Sequence, residues 1–517
     1  MRYFIEQAAK NGTDLFRVFD SLNWVENMRV SMDAVLENNA LCEAAICYTG
    51  DIHDPKRAKY NLKYYVNMAK ELQKAGAHII GIKDMAGVCR PLAITALVKA
   101  IKEEVGLPVH FHTHDTSGAS IASVVAAINA GVDAVDGAMD SMSGLTAQPS
   151  LGGIIASTEG SDRDSGIHLN QIRPVSTYWE GVRKFYSPFE ADIRSGTSDV
   201  YLHEMPGGQY TNLREQARSL GIEQRWSEVS QAYADVNQLF GDIVKVTPSS
   251  KVVGDMALYM VTNDLTPAEV LDPAKEINFP ESVISLFRGE MGYPADGFPK
   301  ELGKKILKDK VAIDGRAGAH LPPVDLEAVK KEAEDKVGRH LSDADLASYL
   351  MYPKVFSTFA NHHKHNGDVS LLPTPVFFYG LNIGEEIAIE IDPGKTLVIR
   401  LQGMTQVDEE GLVRVFFELN GQPRTVKVKK NGAVATKVGR TKAETGNTKH
   451  IAAPLPGMIA TLAVKEGQSV QKGSPLVSIE AMKMETMITA NEDGVIKKIH
   501  ISSGNQVDAK DLLIEMA

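Results

Sequence analysis

Three histidines alternate along a short stretch with β-strand character, HFHTHD (110–115). Alternate residues of a strand point to the same face, so His110, His112 and His114 would share a face at a spacing of about 7 Å. Two imidazoles at that spacing can bind one divalent metal ion. The alternative interpretation is a polar strand end whose histidines only make hydrogen bonds.

A lysine lies within a second, more apolar stretch, HIIGIKDMAG (78–87). Burying an unpaired ammonium group among apolar side chains is costly. Either a charged partner or a chemical modification must therefore explain Lys83.

A second lysine, Lys483, lies in EAMKMET (480–486) at the junction of an internal repeat. Four positions recur after 37 residues: Gly457 and Gly494, Gly467 and Gly504, Val470 and Val507, Leu476 and Leu513. The repeat predicts two similar halves that form a flattened antiparallel barrel or sandwich, with the lysine at the turn between them. Such a lysine suits a swinging prosthetic arm, and the alternative is an ordinary solvated side chain.

The first two motifs belong to an alternating pattern of β-like runs and amphipathic helical stretches in residues 1–155. The predicted strands are 14–20, 41–50, 78–87, 109–115 and 133–144. Polar residues gather at the C-terminal ends of these strands. In a (β/α)₈ barrel or an open α/β sheet, the active site lies at that end.

The remaining sequence predicts four further regions. They are a helical region (156–368), an antiparallel β module with DPG and LNG turns (369–430), a flexible tether of small and basic residues (431–449) and the repeat domain (450–517). The change of hydrophobic period to two indicates the β module.

Length and composition limit the possible functions. A chain of 517 residues predicts three or four domains at roughly 150 residues each, and 43% hydrophobic residues exclude general disorder. A net charge of -11 argues against nucleic acid as a partner. Cys42, Cys47 and Cys89 form no CxxC pair, which argues against a disulfide framework or a thiolate zinc site. The sequence shows no long apolar run, and a cytoplasmic location is expected.

Two parts of the sequence resemble one enzyme family. Residues 450–517, with the motif AMKM, resemble the biotinyl (carboxyl carrier) domain of biotin-dependent carboxylases. DLFRVFD, GIKDMAG and HFHTHD together resemble the carboxyltransferase barrel of the pyruvate carboxylase family and of its relatives, the oxaloacetate decarboxylase α subunit and the transcarboxylase 5S subunit. The β module before the tether favours pyruvate carboxylase over these shorter relatives.

The resemblance implies a multidomain fold: an incomplete (β/α)₈ TIM-type barrel with a helical extension, a small antiparallel β module and a C-terminal β-sandwich biotinyl domain. It implies carboxyl transfer from carboxybiotin on Lys483 to pyruvate, giving oxaloacetate. Lys83, in carbamylated form, would bind Zn²⁺ or Mn²⁺ together with His112 and His114. Thr247, in KVTPSSK, matches the catalytic threonine, although by itself it would be interpreted as a loop or helix-cap residue.

The sequence also departs from the family pattern. DLFRVFD resembles the fourth of eight barrel strands, and no GxxxxGK[ST] phosphate loop occurs. The resemblance therefore implies a C-terminal part that is incomplete for turnover alone, with its substrate-binding residues in the missing strands. The expected partners are the N-terminal part of the barrel, a biotin carboxylase domain, a biotin ligase and further copies of the chain, since the family forms tetramers.

Two other functions stay open from the sequence. One is an oxaloacetate decarboxylase α-type subunit that runs the same site backwards. The other is a non-catalytic biotin carrier and assembly fragment. The histidines of NHHKH, His362, His363 and His365, are interpreted as a solvated polar turn rather than a second metal site.

Overall fold

The computed structural model of the chain comprises two compact units. The structure describes residues 1–407, 411–429, 441–444, 447–481 and 484–517. The first unit comprises Met1–Glu180, Glu190–Pro323 and Arg440–Ala517, and the second comprises Gly181–Phe189 and Val324–Gly439. Among the helices of the described ranges, none has both the length and the apolar character needed to cross a membrane.

The first unit begins with five strand–helix units, as the sequence predicts. The parallel strands form one sheet in chain order: β1 (Leu15–Val18), β2 (Leu41–Cys47), β3 (Ile79–Asp84), β4 (Val109–Thr113) and β5 (Ala134–Val135). The helices are α1 (Arg2–Lys10), α2 (Val25–Glu37), α3 (Leu62–Lys74), α4 (Pro91–Glu104) and α5 (Ser120–Ala130). This order is that of an incomplete TIM-type barrel and confirms the predicted fold class.

The fifth strand is much shorter than predicted. The predicted run is 133–144, whereas β5 contains two residues and Asp140–Met142 form a 3₁₀ turn. Gly137 and the following Asp and Ser residues favour turns over extended backbone, which explains the early end of the strand.

Burial divides the sheet into two faces. On β4, Val109 and Phe111 are buried in the same apolar cluster as Ile94 and Leu97 of α4. His110 alternates with them and is only half-buried. The helices therefore pack on the apolar face, and the polar side chains of the strands occupy the other face.

Much of the helical region packs around a second apolar cluster. Its helices are α6 (Leu151–Thr158), α7 (Leu169–Tyr186), α8 (Val200–His203), α9 (Gly207–Ser219), α10 (Trp226–Leu239), α11 (Ser249–Thr262), α12 (Pro267–Leu271), α13 (Glu281–Phe287) and α14 (Lys300–Leu307). Helix α11 is buried on nearly all sides and lies in this cluster with α10 and α13. A helix that is buried on nearly all sides lies at the centre of a core.

The second unit contains helices and an antiparallel sheet. Its helices are α15 (Leu326–Val337), α16 (Asp343–Met351), α17 (Pro353–Asn366) and α18 (Thr374–Tyr379), and its strands are β6 (Glu386–Asp392), β7 (Lys395–Met404), β8 (Leu412–Leu419) and β9 (Gln422–Lys429). The strands pair in chain order. Asn420 and Gly421 both have positive φ, at 47° and 78°, as a two-residue hairpin turn requires.

This module starts later than the sequence predicts. The predicted boundary is residue 369, but residues 369–371 form a 3₁₀ turn and α18 follows them. A proline in the first turn of α18 and a run of adjacent apolar residues suit a helix better than an alternating strand.

The C-terminal module is a sandwich of two four-stranded sheets. Its strands are β10 (His450–Ala452), β11 (Gly457–Leu462), β12 (Ser469–Val470), β13 (Pro475–Ala481), β14 (Met484–Thr489), β15 (Gly494–Ile499), β16 (Gln506–Val507) and β17 (Leu512–Met516). The sheet orders are β10-β17-β15-β12 and β14-β13-β11-β16. Strands related by the 37-residue repeat, such as β11 and β15, lie in opposite sheets, so the repeat builds both sheets.

Part of the predicted tether pairs with this module. Residues 430–440 and 445–446 lie outside the described residues. Lys442 forms an antiparallel bridge with Asp511, and its Nζ lies 2.7 Å from Oδ1 of that carboxylate. The predicted tether is therefore partly wrong, because residues 441–444 are held by backbone pairing that small polar residues can make as well as apolar ones.

Leu513→Ala should destabilise the C-terminal module by about 2–5 kcal/mol, because it leaves a cavity in a close-packed core. Leu513 is fully buried. The measurement is urea unfolding of residues 441–517 made as a separate module. Met458→Ala, at an exposed position of β11, is the matched control and should cost about 0.5 kcal/mol or less. Equal unfolding midpoints for the two variants would contradict the assigned core.

Candidate functional site

Two adjacent strands position three of the predicted site residues. Lys83 on β3 and His112 on β4 are register partners, so their side chains lie next to each other on one face of the sheet. His114 follows β4 directly and lies close to His112, with the ring centroids 5.1 Å apart. The predicted metal residues therefore lie at the C-terminal ends of neighbouring strands.

The two imidazoles have the geometry of a ligand pair. Nε2 of His112 lies 3.3 Å from Nε2 of His114. Nδ1 of His112 contacts Oδ2 of Asp136 at 2.7 Å, and Nδ1 of His114 contacts the carbonyl oxygen of Thr146 at 2.7 Å. Donation from both Nδ1 atoms to oxygen leaves the Nε2 lone pairs free, which is the usual orientation of metal-binding histidines.

The distance between the two Nε2 atoms also fits the binding of a single metal ion. Nitrogen ligands bind zinc at about 2.0–2.1 Å, and two such bonds at a nearly tetrahedral angle place the nitrogens about 3.3 Å apart. Burial lowers the pKa of His114 to about 4. The neutral ring that a metal ligand needs is thus the stable form near neutral pH.

Lys83 supplies an amine beside this pair. Its Nζ lies 5.0 Å from the ring centroid of Phe19, and burial lowers its pKa. A lowered pKa raises the fraction of unprotonated amine, the form that can react with CO₂ to give a carbamate. Within the described residues, no group of three or more His, Cys, Asp or Glu side chains is arranged to hold a metal. A carbamylated Lys83 would be a third ligand beside the two histidines.

His110 belongs to a separate ionic cluster. Its Nδ1 lies 3.0 Å from Glu43 and its Nε2 lies 2.9 Å from Asp136. Burial would lower the pKa of His110, but these two carboxylates outweigh it and raise the pKa to about 9. The two carboxylates thus favour the protonated form of His110, which lies outside the His112–His114 pair.

Asp136 connects this cluster to the histidine pair. Burial would raise the pKa of Asp136, but hydrogen bonds from His110 and His112 outweigh it and hold the pKa well below its usual range. Arg17 adds a further contact, with Nη1 3.1 Å from Oδ2. The charged carboxylate keeps the His112 ring in one orientation.

Thr247 lies on an exposed segment just before α11. Two neighbours anchor the segment: Oγ of Ser249 lies 3.0 Å from the carbonyl oxygen of Ser21, and Nζ of Lys245 lies 3.2 Å from Oγ1 of Thr49. Ser21 and Thr49 follow β1 and β2, respectively. These anchors hold the Thr247 segment at the C-terminal ends of the strands.

The start of α9 contacts the histidine pair. The amide of Gly207 donates to the carbonyl oxygen of Met85, directly after β3. A methyl group at Gly207 would lie 2.8 Å from Nδ1 of His114, closer than van der Waals contact. Only glycine permits this approach, so the MPGG segment packs directly against the histidine pair.

Comparisons with known proteins agree with this architecture. Three family models match the sequence: "HMGL-like" over residues 21–178, "Conserved carboxylase domain" over residues 200–400 and "Biotin-requiring enzyme" over residues 449–516. Pyruvate carboxylase from Bacillus subtilis is 48% identical over 516 residues, which cover 100% of this chain and 45% of the relative. The mitochondrial pyruvate carboxylase of Homo sapiens is 45% identical and covers 99% of this chain.

A solved structure gives the decisive match. The carboxyl transferase domain from Rhizobium etli pyruvate carboxylase, solved with pyruvate and biocytin, is 60% identical with a TM-score of 0.81, and the match covers 83% of this chain and 72% of that chain. The chain belongs to the pyruvate carboxylase family. It spans about 45% of the length of the curated relatives.

Strands β13 and β14 of the C-terminal module pair antiparallel. Ala481 and Met484 are register partners at the ends of these strands. Lys483, the predicted biotin attachment residue, lies between them in sequence and outside the described residues. The module that carries the lysine is thus described, and the attachment itself stays a prediction.

Sequence reasoning missed several residues of the site. Asp136, Glu43 and Lys245 were not predicted, although Glu43 and Lys245 lie in the apolar stretches LCEAAIC and IVKV. The signal that singled out Lys83, a charge within an apolar strand-like run, could have found both. His362, His363 and His365 are exposed, as expected, but they lie on helix α17 and not in the turn that the sequence predicts.

Proposed function

We propose that this chain provides carboxyl transfer from biotin to pyruvate, giving oxaloacetate, as the C-terminal part of a pyruvate carboxylase. The match to the Rhizobium etli carboxyl transferase domain with pyruvate and biocytin carries this proposal. The histidine pair at the strand ends and the anchored Thr247 segment support it.

Lys83, His112 and His114 are the residues that would hold a divalent ion, Zn²⁺ or Mn²⁺. Carbamylation converts the Lys83 amine into an anionic oxygen donor: nitrogen adds to CO₂ and releases a proton. When bound, the ion would polarise the carbonyl of pyruvate, and biotin on Lys483 would carry the carboxyl group. Asp136 keeps the His112 ring oriented.

Thr247 would act on the proton of the pyruvate methyl group. Its Oγ1 can donate its own proton to biotin as CO₂ leaves and accept a proton from the methyl group, and the resulting enolate of pyruvate then adds to the CO₂ to give oxaloacetate. The side chain is exposed and its backbone segment is anchored on both sides. A fixed segment with an accessible hydroxyl group suits proton relay, which depends on position.

The expected partners are also proposals. They are the N-terminal part of the barrel, a biotin carboxylase domain, a biotin ligase and further copies of the chain. A cytoplasmic location stays a prediction, since some relatives are named mitochondrial. The decarboxylase and carrier-fragment alternatives are not favoured, because the curated and solved relatives named above are pyruvate carboxylases.

The function can be tested in a full-length chimera, in which this chain replaces the corresponding part of the Rhizobium etli enzyme. The chimera should exchange radioactive carbon between pyruvate and oxaloacetate and form oxaloacetate from pyruvate, bicarbonate and ATP. The Rhizobium etli portion without this chain is the control and should do neither. A folded chimera that carries biotin but exchanges no label would contradict the proposal and favour a carrier.

His112→Ala and His114→Ala should each lower the zinc or manganese affinity of the chain at least about 10-fold, because each variant removes one nitrogen ligand. Metal content after purification without chelator, followed by competition titration, measures the change. His362→Ala and His363→Ala are matched controls and should retain the metal. Unchanged content in both site variants would place the metal elsewhere.

A further inference from the structure

Four charged side chains form a chain of alternating sign in the first unit. Nζ of Lys245 lies 2.9 Å from Oε2 of Glu204, whose Oε1 accepts a hydrogen bond from Arg57. Nη2 of Arg57 lies 2.7 Å from Oδ1 of Asp242. Charges of opposite sign thus face each other at every step, and the set of four is electrically neutral.

The centre of this set is buried. The exposed fraction is 2% for Lys245 and 7% for Glu204. Burial would raise the pKa of Glu204, but Lys245 and Arg57 outweigh it and lower the pKa to about 2. Since buried charges are costly unless they are paired, this carboxylate and its two cations must keep their relative positions.

The Lys245–Glu204 ion pair connects two segments of the proposed site. Lys245 lies two residues before Thr247, and Glu204 lies three residues before Gly207, which contacts His114. The Lys245–Glu204 contact is therefore a short connection between the segment of the catalytic hydroxyl group and the segment that packs on the histidine pair.

The backbone conformation of Glu204 is unusual for a glutamate. Its φ is +54°, in the left-handed region that favours glycine or asparagine. A glutamate in this conformation is unfavourable for the backbone alone, and such positions persist where the surrounding contacts impose them. The contacts of the carboxylate with Lys245, Arg57 and Thr49 supply that reason.

We propose that Glu204 is a positioning residue for carboxyl transfer: through Lys245 it fixes the Thr247 segment relative to the start of α9, which packs against His114. This inference rests on the proposed function. Glu204 does not touch the reacting atoms. It acts by holding Thr247 where the proton must move, and a displacement of about 1 Å there can cost about 100-fold in rate.

The test compares Glu204→Gln in two backgrounds of the full-length chimera, wild type and Thr247→Ala. Label exchange between pyruvate and oxaloacetate should fall about 10- to 100-fold in the wild-type background, in kcat rather than in KM for pyruvate. In the Thr247→Ala background, the same substitution should lower label exchange by less than about threefold, because the hydroxyl group to be positioned is absent. Glu301→Gln, at an exposed position of α14, is the matched control.

If Glu204→Gln does not fold, Glu204→Gln/Lys245→Met replaces it, because removal of both charges leaves no unpaired buried ion. The same difference between the two backgrounds is expected. Equal losses in both backgrounds, or a loss below about threefold in the wild type, would overturn the positioning role. A wild-type chimera that exchanges no label would overturn the proposed function itself, and this inference with it.

Discussion

Lys483→Arg should abolish the avidin signal of the chain completely when it is made together with a biotin ligase. Biotin is attached through an amide to the lysine amine, and an arginine guanidinium stays protonated and cannot form that bond. An avidin blot measures the result. Lys472→Arg, at an exposed position of the same module, is the control and should keep the full signal.

The same variant separates the carrier from the barrel. In the chimera, Lys483→Arg should remove all ATP-dependent oxaloacetate formation but leave label exchange with added free biotin intact. The β13–β14 hairpin belongs to the C-terminal sandwich, whereas the histidine pair belongs to the five-stranded sheet. Equal avidin signals from wild type and variant would contradict the assignment of Lys483.

Thr247→Ala should lower label exchange in the chimera by about 100- to 10,000-fold, the usual contribution of a positioned proton-transfer group. The side chain is exposed, so its truncation should change the free energy of unfolding by about 0.5 kcal/mol or less. Rate and stability are therefore separable at this position. Steady-state exchange kinetics together with thermal unfolding measure both.

Two substitutions control this experiment. Thr247→Ser keeps a hydroxyl group and should retain far more activity than Thr247→Ala. Thr262→Ala removes an exposed threonine from the other end of α11 and should leave exchange unchanged. If Thr247→Ala retains more than a tenth of the wild-type exchange, the hydroxyl group does not carry the proton.

Local patterns predicted most of the fold. The five strand–helix units, the alternating module with its Asn420-Gly421 turn and the 37-residue repeat are all spacing signals within a few tens of residues. Each of these patterns shows which face of one helix or strand is apolar, and that face is buried in the fold. The predictions failed at boundaries, such as the short β5 and the late start of β6, where turn-forming residues and prolines compete with the pattern.

The sequence also placed part of the candidate site. Alternation on one strand put His112 and His114 on a shared face, and the charge in an apolar strand singled out Lys83. The register of β3 with β4 makes Lys83 and His112 neighbours. The roles of these residues, and of Thr247 and Lys483, stay predictions that the experiments above address.

By itself, the sequence determined the class of each element and the residue types available for chemistry, because periodicity and side-chain type are local properties. Only the tertiary structure decided which of them meet. It separated His110 from the ligand pair by placing it between Glu43 and Asp136. It joined Glu204 to Lys245, 41 residues further along the chain. Such contacts depend on how distant segments pack and on where a buried charge finds its partner, and neither is encoded in local spacing.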